Sequence, residues 1–489
     1  MILQNKIRRF TKETFEITWK TRVASAIPLL ALSFLMASPI STLGQADTTT
    51  ATPQTQTPPK TWIDADTGHR VIRLTDEPNS EALISSHYAY TPDGLDMIYV
   101  SPQGIHVLNL ASLKTKLIFS GGVRDVLVGT KTRRVFFIKE RGGLYTVDMD
   151  TMQLKRLVTL LPPRGFISSV NADETLLVGT NIASGARDFT QFMGDAWKEA
   201  AEETRKTHAT NRSVKEIGDD VKQRAMKMRL EAKIPEEMFT VNLQTGDVKT
   251  ILKGTDWLNK VQFSTTDPDL ILYEHEAPYA STEVDRVWTI RADGTQNQMV
   301  YQKAIPEESA NRQFWSRDGK TIWYELQKPI PNQPTWMDHD LVGYDVATGK
   351  RRYYHMDQLQ YSVFYGAGNS EGLFCGSGHR SKTVHGDAPT DGQIMWSGEW
   401  IEVLYPIFNN GDVGTNTDNT KWFHFYNPTS VADSKAKYTG WFRRERLVNM
   451  FNNDYTKLEP EVRFSPDNRY VIFTSNMFGP TYVFAVEVN

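Results

Sequence analysis

Short apolar and aromatic runs separated by turn residues recur along most of this chain, regularly enough to predict its elements. Six times such a run leads into a turn of the Pro-Asp-Gly type, at residues 90–94, 170–174, 263–267, 315–319, 368–372 and 464–468. A second β-branched or aromatic run follows, as in Met97-Ile98-Tyr99-Val100 and Thr321-Ile322-Trp323-Tyr324, and then a hairpin such as Val346-Ala347-Thr348-Gly349. Runs of this composition bounded by turn residues read as strands. Repeats of roughly 40–50 residues, each holding several short strands, mark a β-propeller in which every repeat forms one four-stranded blade. Residues 123–159, whose first strand carries a weak turn signal, bring the count to seven. The expected fold class is all-β, a seven-bladed β-propeller. The strand-like residues 70–75 precede the first complete blade and residues 481–488 end the chain, so the two ends are expected to share a blade and close the ring.

One segment breaks the pattern. Residues 187–236 are rich in Ala, Glu, Lys, Arg and Met and poor in β-branched residues, which predicts a helical insertion in the third blade, between Thr180 and Phe239. Two readings stand: a solvated hairpin packed on the rim, or a wall over one face of the ring. At the amino terminus, a basic region up to Arg22, an apolar stretch from Ala24 to Met36 and small residues at Gly44 and Ala46 read as a signal peptide over 1–46, with a membrane anchor as the alternative. Residues 47–60, rich in Thr, Gln and Pro, read as a disordered linker, leaving the propeller over 61–489. The expected address is periplasmic or secreted, with no stable membrane span once the signal is removed. Cys375 is the single cysteine, so no internal disulfide is available. With 55 Lys and Arg against 58 Asp and Glu, the balance argues against a nucleic-acid partner.

The first strand of each blade in a propeller runs beside the central channel, so equivalent positions on those strands form a ring. The residue four before each turn gives His87, Ile167, Lys260, Arg312, Tyr365 and Glu461, all but one able to hydrogen-bond or carry charge. Convergent polar groups in a concavity point to a binding site; a water-filled polar channel is the alternative. Glu459 lies two residues before Glu461 and adds a second carboxylate to the same face. Lys260 and Arg312 suit an anionic sugar, and the paired carboxylates suit a cation bridging protein and sugar. The expected partner is therefore an acidic oligosaccharide.

Tyr273-Glu274-His275-Glu276-Ala277-Pro278, Val284-Asp285-Arg286-Val287-Trp288 and Phe314-Trp315-Ser316-Arg317-Asp318-Gly319, in this order and spacing, resemble the oligogalacturonate lyases, a family of seven-bladed propellers. The resemblance runs from Gly68 to the carboxyl terminus. It implies β-elimination: a histidine base removes the proton beside a uronate carboxylate, an arginine holds the sugar, and a divalent metal on three histidines and a glutamine neutralises the carboxylate. Positive charge is needed because that carbon acid is very weak.

Carried over, the family's arginine falls on Arg286 and its His-Glu-x-Pro histidine on His275. The base falls on Arg312, two metal histidines fall on Glu459 and Glu461, the third falls near Tyr365, and the glutamine falls on Thr456. The expected catalytic residues are Arg286, Arg312 and Tyr365, with His87, Lys260 and His275 binding substrate and Glu459 and Glu461 holding a divalent cation, calcium or manganese. Arginine is a poor base at neutral pH, so Tyr365 or His87 stands as its replacement. The expected function is cleavage of uronate-containing, pectin-derived oligosaccharides. A non-catalytic propeller that binds acidic glycans or a protein partner is the alternative.

Overall fold

The structure is a computed structural model that describes residues 58–84, 88–139, 142–207, 214–278, 284–330, 333–356, 362–369, 372–378, 400–408, 438–455 and 457–488. His87, Thr456 and the signal region 1–46 lie outside the described residues.

Seven antiparallel blades form in chain order, each beginning with its inner strand, with blades 5 and 6 fused in one eight-stranded sheet. Blade 1 spans Glu81 to Ser120, blade 2 Arg124 to Val158, blade 3 Phe166 to Gly254 and blade 4 Trp257 to Met299. Blade 5 runs from Ser309 to Met356 and blade 6 from Ser362 to Asn449, their outer strands joined by a parallel pairing of Tyr354 with Gly440 and His355 with Trp441. Blade 7 takes three strands from the end of the chain and one from its beginning: Val71 pairs with Val486 and Arg73 with Phe484, closing the ring as expected. Strand Thr61–Ile63 adds a fifth strand outside them.

The strands form because alternate residues bury apolar side chains between neighbouring blades. In blade 5, Ile322, Tyr324 and Leu326 pack toward blade 4, whereas Trp323 and Leu341 pack toward blade 6 with Phe374 and Leu404. Phe484, fully buried, seals the closing blade against Trp62, Phe473 and Phe478. Phe484→Ala should cost about 3–5 kcal/mol through lost burial and a residual cavity, visible as a lower denaturant midpoint at unchanged m-value.

The third blade carries the insertion as expected: helices Phe189–Thr207 and Val214–Glu231 lie between strands Leu176–Ile182 and Glu236–Asn242. Phe192, Ala196, Trp197, Val221 and Ala225 form the core of the pair. The pair is docked on blade 4: Phe189 packs on Trp257 at 4.7 Å, and Arg229 lies over the same ring at 4.8 Å while pairing with buried Glu236 at 3.0 Å. Among the described residues no helix is long and apolar enough to cross a membrane.

Candidate functional site

Each inner strand ends in a turn whose first residue donates its N–H back across the turn, which fixes equivalent positions without reference to sequence. The donors are Thr91, Gly129, Asn171, Ser264, Ser316, Gly368 and Ser465. Counting back four gives His87, Asp125, Ile167, Lys260, Arg312, Phe364 and Glu461. This corrects two expectations. Asp125 joins the ring, missed because its turn, Gly129-Thr130-Lys131-Thr132, contains neither Asp nor Pro. Tyr365 leaves it: the sixth turn begins at Gly368, one residue earlier than its composition implies, and a shift of one residue moves a side chain to the other face. Tyr365 is 5% exposed, with its hydroxyl accepting from Ser362 N at 2.9 Å and facing Met356.

Asp125, Lys260 and Arg312 share a further property. Each sits at a β-bulge in its inner strand with left-handed φ of 52°, 46° and 54°. For a non-glycine residue this is an uncommon backbone state, and bulges re-aim side chains at barrel rims and next to sites. Two of the three aimed residues are cations.

Each of these cations is anchored by a carboxylate with no exposed surface on the adjacent strand. Lys260 Nζ lies 2.9 Å from Glu274, and Arg312 lies 2.7 Å from Glu325. Glu274 also pairs with Arg286, which reaches Glu276 and the Ala277 carbonyl as well. Burial alone would push the Glu274 carboxyl up, but Arg286 and Lys260 more than reverse this and hold it well below the ordinary carboxylate range. Glu325 is lowered in the same way, burial being outweighed by Arg312 and by His339, whose Nδ1 lies 2.7 Å away. Gln327 donates to Glu325 at 2.9 Å.

These contacts revise three expected roles. Arg286 is 3% exposed and consumed by Glu274, Glu276 and Ala277, so it positions Glu274 rather than clamping substrate. Arg312 is ion-paired and stays cationic, so it is a charge at the inner rim and not a base. His275 points away from both: strand alternation puts it on the face opposite Glu274 and Glu276, hydrogen-bonded to Asp256 at 3.0 Å and packed at a tilt against Tyr273 and Trp288. Lys260, one-third exposed, is where the sequence placed it.

The acidic side of the ring has its own partner. Glu81, on the inner strand of blade 1, has its carboxyl pushed up to about 7, by burial first and then by the charge of Glu461. Sequence comparison of turns missed Glu81 because it lies ten residues before Thr91, outside the compared position.

For a metal, the donors at the carried-over positions do not fit the family's nitrogen-rich set. Glu459 is exposed, Glu461 is half-buried beside Glu81, and Tyr365 is turned away. Among the described residues, the donors that converge within 4.8 Å are elsewhere: Asp338, Asp340 and His355 on blade 5. There the Lys328 ammonium already supplies the positive charge, 2.6 Å from Asp340.

The chain also has relatives. The sequence profile of a family described as oligogalacturonate lyase matches residues 52–328, more than half of the chain. An oligogalacturonide lyase of Pectobacterium atrosepticum is 22% identical over 451 residues, covering 88% of this chain and 95% of the relative. An oligogalacturonate lyase of Dickeya dadantii is 28% identical over 446 residues, with the same coverage. Among solved structures, an oligogalacturonate lyase from Vibrio parahaemolyticus superposes with a TM-score of 0.63 at 18% identity, covering 88% of this chain and 96% of that one. An oligogalacturonate lyase in complex with manganese gives 0.61 at 19%, with the same coverage. At these identities the structures establish the propeller fold, and the profile match establishes the lineage: the chain is a member of the oligogalacturonate lyase family.

Proposed function

We propose that the protein is an exported lyase that cleaves a uronate-containing, pectin-derived oligosaccharide by β-elimination at the inner rim of the ring. The observation that carries this is the pair of bulged, left-handed inner-strand cations, Lys260 and Arg312, each held by a wholly buried glutamate. Positive charge held on inner strands is what a uronate carboxylate needs, both to bind and to acidify the adjacent C–H. Export is supported by the apolar stretch from Ala24 to Met36 after a basic region.

In this reading Lys260 and Arg312 hold the carboxylate, and Glu274 and Glu325 hold Lys260 and Arg312. Glu81 accepts the proton from the carbon beside the carboxylate. That C–H pair becomes the ring double bond, and the bond to the glycosidic oxygen breaks with its electrons on the leaving oxygen, which is protonated from water. The oxygens of Glu459 and Glu461 would suit a hard divalent cation such as calcium better than the family's nitrogen-held metal. No step of the elimination depends on such a cation. The second reading, a propeller that binds acidic glycans without cleaving them, draws support from Arg312 standing where the family has its base.

Lys260→Met tests the binding role. Losing a charged hydrogen bond worth about 1.5–3 kcal/mol should weaken kcat/KM for an acidic oligosaccharide by roughly 10–150-fold. Unchanged kcat/KM and unchanged calorimetric affinity in this variant would exclude the rim as the carboxylate site.

A further inference from the structure

We propose that the cavity between the helical insertion and blade 4 is a second saccharide subsite, built for an uncharged pyranose that neighbours the uronate in the substrate. This rests on the reading of the rim as a uronate site and adds to it the class of the adjoining sugar.

The cavity has a volume of about 200 Å³ and is lined by Leu230 and Lys233 from the insertion and by Asp256, His275, Asp285 and Trp288 from blade 4 and the segment leading into it. By comparison, one water needs roughly 10–15 Å³ and drug-sized ligands occupy about 300–1,000 Å³, so a single ring is the fitting scale. Its lining residues Asp256 and His275 lie beside the start of the blade 4 inner strand, which also carries Lys260. Asp256 and Lys260 are four residues apart along the chain, at most about 14 Å in extended backbone. Because His275 and Glu274 face opposite sides of the blade, an oligosaccharide occupying both passes round the start of the inner strand.

The lining is organised in detail. Helix Val214–Glu231 is followed by Lys233 in a left-handed conformation, φ 46°, which turns the chain at the cavity wall. Asp256 is lowered by its hydrogen bond from His275 and by Lys233, so it is an anion and a pure acceptor. Trp288 donates its indole N–H to the Asp285 carbonyl at 2.7 Å, and Asp285 Oδ1 accepts from Lys303 N at 2.9 Å. With its only donor used, the indole offers the cavity an apolar surface, the match for the C–H face of a pyranose.

Charge selects the sugar. Two carboxylates, Asp256 and Asp285, and one ammonium, Lys233, line the cavity, with the Lys303 ammonium acting on Asp285 from outside the lining, whereas the rim presents Lys260 and Arg312. Carboxylates accept from adjacent hydroxyls, which an uncharged sugar supplies, and repel the anionic alternative. His275, retained from the family motif but turned from the rim, thereby acquires a place: it orients Asp256.

The test is calorimetric titration of the whole mature protein with uncharged methyl glycosides (galactoside, glucoside, xyloside and rhamnoside) and, separately, with galacturonate. At least one uncharged glycoside should bind at millimolar concentration; Asp256→Asn and Lys233→Ala should each weaken it about tenfold or more, while Lys260→Met leaves it unchanged. Galacturonate should show the reverse pattern. Trp288→Phe, which keeps an apolar ring, should retain measurable binding and guards against a folding artefact. Absence of binding by every uncharged glycoside, or binding indifferent to both Asp256→Asn and Lys233→Ala, overturns the subsite. Uncharged-sugar binding that follows this pattern, with no galacturonate binding, sinks the rim reading alone.

Discussion

Glu81→Gln should reduce turnover by roughly 10²–10⁴-fold, the range a positioned general base contributes, and should at the same time stabilise the fold above pH 7. The two effects have one origin. Glu81 has a folded-state pKa raised from 4.5 to about 7 by burial and by Glu461. For a raised carboxylic acid, the protonated form is the one the fold favours. Its contribution to stability is complete below the unfolded value of 4.5 and is lost as pH rises through about 7. Glutamine mimics the protonated form, so the variant escapes that loss. Turnover runs the other way, because a base works only when deprotonated: kcat/KM of the native protein should rise with pH through about 7. Removing the neighbouring charge with Glu461→Gln should move that rise to lower pH. A pH–rate profile and a thermal melt at pH 8 check both halves. A Glu81→Gln protein that melts lower than the native chain at pH 8, or that keeps its turnover, would remove Glu81 from the mechanism.

Arg286→Met should cost about 3–5 kcal/mol of stability, as much as Phe484→Ala, because it removes a partner from a carboxylate of zero exposure. Lys260 then remains paired with Glu274, and it would be drawn inward to compensate. The expected cost therefore includes lost affinity for an acidic sugar, although Arg286 touches none. The pH dependence follows from a depressed folded-state pKa: Glu274 contributes stability above its unfolded value of 4.5, and that stability is lost as pH falls toward its lower folded value. Without Arg286 that depression shrinks. The gap between native and variant should accordingly be widest near neutrality and narrow below pH 4.5, measured by denaturant unfolding. A gap that stays constant with pH would mean that Arg286 acts through packing alone.

The architecture was legible because turn chemistry is local. Asp-Gly and Asn turns set the hairpins, apolar alternation set the blades, and the closing pair of chain ends followed from leftover strands at either end. The insertion was equally plain, because Ala, Glu, Lys and Met in residues 187–236 break a β-branched pattern. What escaped was register and partner. Gly368-Asn369-Ser370 offers two plausible starts for one turn, and choosing the later one put Tyr365 in place of Phe364. Asp125 escaped because its turn has no signature residue. Glu274 and Glu325 sit inside apolar strands, where composition reads as core; the available signal was that a charge in such a run must be paired. His275 was assigned to substrate binding through the family's His-Glu-x-Pro motif, yet neighbouring strand residues face opposite ways. The joining of blades 5 and 6 by a parallel pair of outer strands left no pattern in either strand.

The same distinction separates the family's chemistry from this member's. The fold and the order of motifs persist, whereas the histidines that serve as base and metal ligands are replaced by Arg312, Glu459 and Glu461. On the proposed reading, positive charge comes from Lys260 and Arg312, and the base is Glu81, a carboxylate held near neutrality.

The most direct measurement of the central claim is ultraviolet absorbance of the purified mature protein incubated with acidic oligosaccharides, in calcium, in manganese and in chelator. Appearance of an unsaturated uronide in all three conditions, abolished in Lys260→Met together with Glu81→Gln, is the result this account predicts. No new absorbance across the panel, with acidic-glycan binding still measurable by calorimetry, would contradict it and establish a binding propeller.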